Sequence, residues 1–467
     1  MGPNPPSPFP RREGGAGDTD TPAFPAEAGG AGDTDPVAPP FPRREGGPGG
    51  VGPGVLASYR VLDLTSSWGF LCGKILGDLG ADVVKVEPPG GDPDRGLGPF
   101  YQDEPGRERS LYWFAYNTSK RGITLDLACA TGRDLFLRLA RGADFVLESY
   151  PPGHLAALGL DYPTLRVANR RLILTSITPF GTTGPYAQYK GTDLEAMALG
   201  GFMAVTGQPG RPPLRVGVVP QAPMWASMHA AIGTLIAHWA RERDGVGQHV
   251  DTSAQASLIH SLAHAPTFWD VARSNPERGG EFMTGRSITG ARMRAIWPCR
   301  DGYVNFIIYG GPAGRRTLQA LVEWLDEKGL ATQRLKDWDW STFDVATITQ
   351  DEVDAIEGPT GELFKTLTKA EYYAGVVERR MLAYPVATAA DHLADPQLAA
   401  RDFWRDLPHP ELGATLRYPG PFARFGRGTC ELRRRAPRIG EHNVEIYHGE
   451  LGLSLAELES LKGAGVI

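Results

Sequence analysis

The feature that most constrains this chain is a strand–helix–strand sequence with almost no slack in its links. RVLDLTS (60–66) is a short apolar run ending in hydroxyl residues. SSWGFLCGKILGDLG (66–80) then places Phe70, Ile75, Leu76 and Leu79 in an apolar stripe and is stopped by Gly80. ADVVKVE (81–87) is the next strand. Two strands joined through a helix by such short links form a βαβ unit, so they run parallel. A parallel sheet needs cover on both faces, which sets the fold class as α/β. RGITLDL (121–127), ADFVLES (143–149) and RLILTSI (171–177) read as further strands, with TGRDLFLRLARG (131–142) and YPTLRVANR (162–170) as helices between them. The first turn, TSSWGF, has no GxGxxG and hence no glycine-lined pyrophosphate cradle, so a nicotinamide dinucleotide is not the expected ligand.

Residues 1–54 are of another kind. FPRREGG stands at 9–15 and again at 41–47, and GGAGDTD at 14–20 and 29–35. A segment so rich in Gly and Pro buries too little apolar area to offset its ordering entropy, so it is expected to be a disordered tail, with order beginning at Tyr59. The body then divides into 55–221, an α/β part; 222–279, long linking helices; 280–375, a smaller mixed domain; and 376–467, a return to the first. The long helix is PMWASMHAAIGTLIAHWARER (223–243), followed by a GVGQ turn. AIWPCRDGYVNFII (295–308) is a hairpin-like pair around Asp301-Gly302. Near the end, Ser454 with Glu457 three residues later caps the helix SLAELESLKGAG.

A net charge of -6 gives no basic field for nucleic acid or an anionic membrane. No apolar run approaches the roughly 20 residues of a membrane span, and the N-terminus has no signal-peptide pattern. Cys72, Cys129, Cys299 and Cys430 are far apart, as expected of thiols in a reducing cytoplasm. His229, His238, His260 and His264 lack the carboxylate or further ligand that would complete a metal set.

Several blocks are specific in combination. RVLDLT with LGDLGADVVKVEPPGGDPDR, NTSKRGITLDL, ESYPPGHLAALGLDYPTL with NRRLILTSITPFGTTGPYAQ, RERDGVGQHVDTS and RRAPRIGEHNVEIYHGELGLSLAELESLKGAGVI follow one another in this order. Together they resemble the class III CoA-transferases, the group of formyl-CoA and carnitine-CoA transferases and alpha-methylacyl-CoA racemases. The resemblance covers about 59–467. It implies a Rossmann-like large domain built from both chain ends, a smaller inserted α+β domain, and an interlocked dimer. It implies acyl-CoA and a small carboxylic acid as substrates, with no permanently bound cofactor.

Moving CoA between acids needs a carboxylate that attacks the thioester, forms a mixed anhydride, and is re-attacked by the CoA thiolate. The resemblance puts that aspartate just ahead of the long helix. Here the stretch reads VVPQAPMWAS, and the matching positions are Gln221, Ala222 and Pro223. None is a carboxylate. Asp193 matches a position where the family often carries an acid at the reaction centre. It is thus the one candidate catalytic residue, with capping of its own helix LEAMAL as the structural alternative. Racemisation would need a His–Asp pair, but Thr192 stands where the His would be and the Asp is the missing one.

For CoA binding the resemblance points to Lys190, to Ser149 and Tyr150, to Leu125, and to the Ser67–Trp68 turn, which lacks the usual Ala-Gly-Pro. An arginine found in some members is replaced by Ala157, leaving Lys120 and Arg121 as nearby positive charge or as a solvated surface pair. Two readings stand: an active transferase, homodimeric or not, or a CoA-binding, non-catalytic subunit paired with a related chain that carries the aspartate.

Overall fold

The structure is a computed structural model, and it describes residues 53–467. The sequence repeats at 9–47 lie outside the described residues. Order starts earlier than Tyr59. Leu56 is buried and its N–H donates to Leu79 O at 2.8 Å, while Val55 N–H reaches Thr429 O at 3.3 Å. The VLASY segment is too short to show a periodicity, so its docking is invisible before folding.

The first half forms β1 (Arg60–Leu64), α1 (Phe70–Asp78), β2 (Asp82–Glu87), α2 (Leu111–Tyr116), β3 (Lys120–Thr124), α3 (Ala130–Ala140), β4 (Phe145–Glu148), α4 (Tyr162–Ala168) and β5 (Ile173–Thr178). Then come α5 (Asp193–Leu199), α6 (Ala222–Asp244), β6 (His249–Ser253) and α7 (Ala254–Ser261). The six strands make one parallel sheet in the order β3-β2-β1-β4-β5-β6. This is the doubly wound order of dinucleotide-binding folds, reached without their glycine fingerprint. The segment 222–279, read as linking helices, therefore also supplies the edge strand β6. HVDTS is short and only half-buried, so its own sequence carries a weak strand signal.

Alternation along the strands sorts the core into two layers. Val61, Val83, Phe145 and Ile173 pack with Leu76 of α1 and with Ala226, Ala230 and Ala237 of α6. Leu62, Val84, Val146 and Leu174 face the other way, against Leu135, Phe136 and Leu139 of α3 and Leu165 of α4. Ile446, Tyr447 and Leu458 join this second layer, so both ends of the chain build the large domain. Alanines on the buried face of α6 let it lie close to β5, where Thr234 and Thr175 hydroxyls meet at 2.7 Å.

A separate core is drawn from residues 291–383. There β7 (Ile296–Cys299) and β8 (Gly302–Phe306) form the antiparallel hairpin around Asp301-Gly302, with β9 (Ala383–Pro385) added on the other side of β8. Helices α8 (Gly311–Glu327), α9 (Gln350–Thr366) and α10 (Lys369–Glu378) cover it. A two-stranded antiparallel unit, β10 (Trp404–His409) with β11 (Ala414–Pro419), follows. The last helix, α11 (Leu455–Gly463), carries the capping box of Ser454 and Glu457.

Candidate functional site

In an open parallel sheet the ligand crevice lies beyond the carboxyl ends of the strands, where the strand order reverses. Here that is between β1 and β4. The two turns there are the ones singled out from sequence. Ser66 N–H donates to Ser149 Oγ at 2.7 Å, and the two hydroxyls meet at 2.9 Å. Ser67 N–H donates to Asp94 Oδ2 at 2.7 Å. Trp68 O accepts the Ser227 hydroxyl of α6 at 3.0 Å. The turn that lacks Ala-Gly-Pro is thus held from three sides by side chains. Tyr150 follows Ser149 and lies against His154, with ring centroids 4.5 Å apart.

Under the β1 turn lies a buried charge cluster. Lys120 Nζ donates to Asp63 Oδ2 and Asn117 Oδ1, both at 2.8 Å, and to Phe70 O at 2.9 Å. Lys85 Nζ donates to Thr65 O and lies 3.8 Å from Asp63 Oδ1. Burial pushes the Asp63 carboxyl up, but Lys120 and Lys85 outweigh it and hold it below the usual range. Helix α1 passes so close that a Cβ at Gly73 would lie 2.2 Å from Asp63 Oδ2, so this position requires glycine. Arg121 is also buried and pairs with Asp82, Glu445 and Glu450. The expectation of Lys120 and Arg121 as CoA-facing charge or a solvated surface pair is therefore corrected. Lys120 turns to the face where Asp63, Asn117 and Phe70 O meet it, and Arg121 to the face where Glu445 and Glu450 of the returning C-terminal segment cover it.

Leu125 lies just past β3, but its side chain is only 2% exposed and belongs to the core, leaving backbone to face a ligand. Lys190 is exposed and makes no ion pair among the described residues, so its ammonium is available to an anion. Ala157 lies in the short helix His154–Ala157 and is exposed.

The N-terminus of α6 is the decisive place. Gln221 supplies no side-chain cap, and its Nε2 donates instead to Val219 O at 2.8 Å. Ala222 and Pro223 are buried. The cap comes from α5. Asp193 Oδ1 accepts Gln221 N–H at 2.7 Å and Ala222 N–H at 2.8 Å. Asp193 does not cap its own helix, where Thr192 and Glu195 form a capping box. It caps α6 across the fold. The structure thus brings Asp193 to the positions that lack the aspartate, but with one oxygen already committed to two amides. Those amides are also withdrawn from any developing oxyanion.

The other oxygen, Asp193 Oδ2, is buried and has no hydrogen-bond partner among the described residues; the residue is 9% exposed. So is the hydroxyl of Tyr112, which is 8% exposed and sits on α2. Burial pushes the Tyr112 phenol well up, with Tyr116, Asp94 and Asp193 adding to it. The sequence reading missed Tyr112, since a Tyr in LYWFAY looks like core. Its signal is the orphaned hydroxyl, which only the fold reveals.

Among the described residues no group of three or more His, Cys, Asp or Glu is placed to hold a metal ion. His238 bonds Arg241 at 2.9 Å and packs on Tyr59, while His229 and His260 rings lie 5.4 Å apart. No helix among the described residues is long and apolar enough to cross a membrane.

Residues 56–443 match CoA-transferase family III. Subunit BbsE of the succinyl-CoA:(R)-benzylsuccinate CoA-transferase of Thauera aromatica is 38% identical over 88% of this chain and 97% of its own length. The succinyl-CoA–D-citramalate CoA-transferase of Chloroflexus aurantiacus is 31% identical over 89% of this chain and 98% of its own. The crystal structure of a CAIB/BAIF family protein from Brucella suis superposes with a TM-score of 0.72 at 30% identity, covering 84% of this chain and 98% of that one.

Proposed function

This chain belongs to CoA-transferase family III, and from that premise we propose that it is the aspartate-lacking, CoA-binding subunit of a transferase whose related partner chain carries the nucleophile. The observation behind this reading is the capped N-terminus of α6. Gln221, Ala222 and Pro223 stand where a carboxylate has to attack, and neither an amide nor a hydrocarbon forms an anhydride. Asp193, the nearest carboxylate, is anchored through Oδ1, which lowers its reach and its nucleophilicity. The likeness to BbsE, itself a subunit, supports the same reading.

CoA lies in the crevice between the Ser66–Trp68 and Ser149–Tyr150 turns, with Lys190 toward phosphate. Both transferases named above take succinyl-CoA, which supports succinyl-CoA as donor and a dicarboxylic acid as acceptor. Association with a related chain is supported by the outer face of α6. Met228, Ile232, Ile236 and Trp239 form an apolar stripe there, with Ile236 63% and Trp239 70% exposed. The free thiols support a cytoplasmic location.

The test is to incubate the chain, alone and with an aspartate-bearing relative, with succinyl-CoA, reduce with borohydride, and map peptides by mass spectrometry. The expected result is CoA binding by the chain alone, no reduced carboxylate on it, and turnover only for the pair. Turnover by the chain alone, with Asp193 or another of its acids converted to the alcohol, overturns the reading and makes it an active transferase by itself.

A further inference from the structure

Glu148 ends β4, and the transfer chemistry leaves it unused. It is buried and makes no ion pair among the described residues. Its Oε2 accepts the Tyr150 N–H at 2.7 Å, and Ser176 of β5 is its register partner in the sheet, so the serine hydroxyl stands beside the same carboxylate. Ser176 Oγ in turn lies 2.8 Å from His249 Nε2. His249 opens the edge strand β6, is exposed, and stacks on Tyr162 with ring centroids 6.0 Å apart. A line of polar groups therefore runs from a surface imidazole, through a hydroxyl bonded to it, to the buried carboxylate beside that hydroxyl in the sheet, and ends on the backbone of the Ser149–Tyr150 turn.

The charged surroundings fit a group that titrates near neutrality. Burial pushes Glu148 up to about 7; the hydrogen bonds from Ser176 and Tyr150 oppose this and the charge of Asp251 adds to it. Asp251 is itself held by Thr182, through N–H at 2.9 Å and hydroxyl at 2.6 Å. Burial pushes His249 down, and Asp251 opposes it. Tyr150 rises to about 12 through burial, Asp92, Glu148 and Asp63.

We propose that Glu148 is a positioning residue for the CoA-facing turn Ser149–Tyr150, and that His249 and Ser176 carry the proton that loosens or fixes it. This rests on CoA lying against that turn. With Glu148 ionised, Ser176 donates to it and His249 Nε2–H donates to Ser176. A proton taken from water by His249 makes an imidazolium. Its Nε2 proton then moves to Ser176 Oγ as the Ser176 proton moves to Glu148, leaving a neutral imidazole protonated on Nδ1. Charge and atoms balance. The protonated carboxyl is now a donor, its hold on Tyr150 N–H weakens, and the turn gains freedom.

The experiment is calorimetric titration of the full chain with coenzyme A from about pH 6 to 8.5, for the wild type, Glu148→Gln and Ser176→Ala. Glutamine is neutral at every pH and imitates the protonated carboxyl. The comparison at each pH cancels the ionisation of CoA itself. Wild type is expected to bind more tightly than Glu148→Gln by up to about tenfold near pH 8, with the gap closing toward pH 6. Ser176→Ala, which removes a donor to the ionised carboxylate, is expected to move that transition to higher pH. Parallel profiles for wild type and Glu148→Gln, or tighter binding by the glutamine variant at pH 8, overturn the proposal. Should Glu148→Gln fail to fold, a Ser176→Ala transition that stays in place overturns it equally. Absence of CoA binding by wild type at any pH is a different failure, that of the CoA site itself, and removes this role with it.

Discussion

Asp193→Ala separates a cap from a nucleophile. The substitution removes two charge-assisted hydrogen bonds, to Gln221 N–H and Ala222 N–H, and leaves the first amides of a 23-residue helix without a side-chain acceptor. Each such bond contributes about 1.5–3 kcal/mol. Against this, the variant also removes the unpartnered buried oxygen Oδ2, which costs the native protein about 1–3 kcal/mol. The net loss is about 2–3 kcal/mol, or about 1 °C per kcal/mol in a chain of this length. Asp193→Asn keeps an acceptor for both amides and loses mainly the charge–dipole part, about 1 kcal/mol. Urea denaturation followed by circular dichroism gives the stabilities, and coenzyme A titration gives the function. The expected order is wild type, then Asn, then Ala in stability, with CoA affinity changing less than twofold in the Asn variant. An Ala variant as stable as wild type would refute the cap. An Asn variant that folds fully but abolishes turnover of the two-chain enzyme would show a chemical role for this carboxylate.

Three further outcomes follow from other residues. Tyr112→Phe deletes a buried hydroxyl that has no partner among the described residues, so thermal stability is expected to hold or rise by up to about 1 kcal/mol; a clear loss of stability would mean the hydroxyl is satisfied in the fold. Lys120→Met leaves Asp63 buried with Thr65 and the more distant Lys85, and is expected to cost about 3–5 kcal/mol by denaturant unfolding, partly restored when Asp63→Asn is added. Burial raises Glu357 to about 7, so the folded state holds its proton where the unfolded chain has lost it. Its stabilising contribution is then full below the unfolded value, falls as pH rises through about 7, and disappears from the pH–stability slope in Glu357→Gln.

The parallel sheet was legible because its information is local. RVLDL and DVVKVE alternate core faces, the GFLCGKILGD stretch has one apolar side, and short links leave a single way to close the unit. Capping boxes such as Ser454/Glu457 are equally local, four residues long. The missing aspartate at Gln221–Pro223 was legible for the same reason, as a residue type at a place along the chain. What sequence alone left open was always a matter of partners far apart in the chain. Lys120 and Arg121 read as surface charge because nothing beside them shows that Asp63 and Glu450 will cover them. Tyr112 drew no notice in the sequence because its orphaned hydroxyl is defined by what fails to approach it. Asp193 read either as a catalytic candidate or as the cap of its own helix, yet its carboxylate meets amides 28 and 29 positions further on. Sequence determined which elements form and which residue types stand at each place along them. Tertiary structure decided where each charge finds its counter-charge, because desolvation makes a buried ionic group seek partners in space and local propensity carries no record of them.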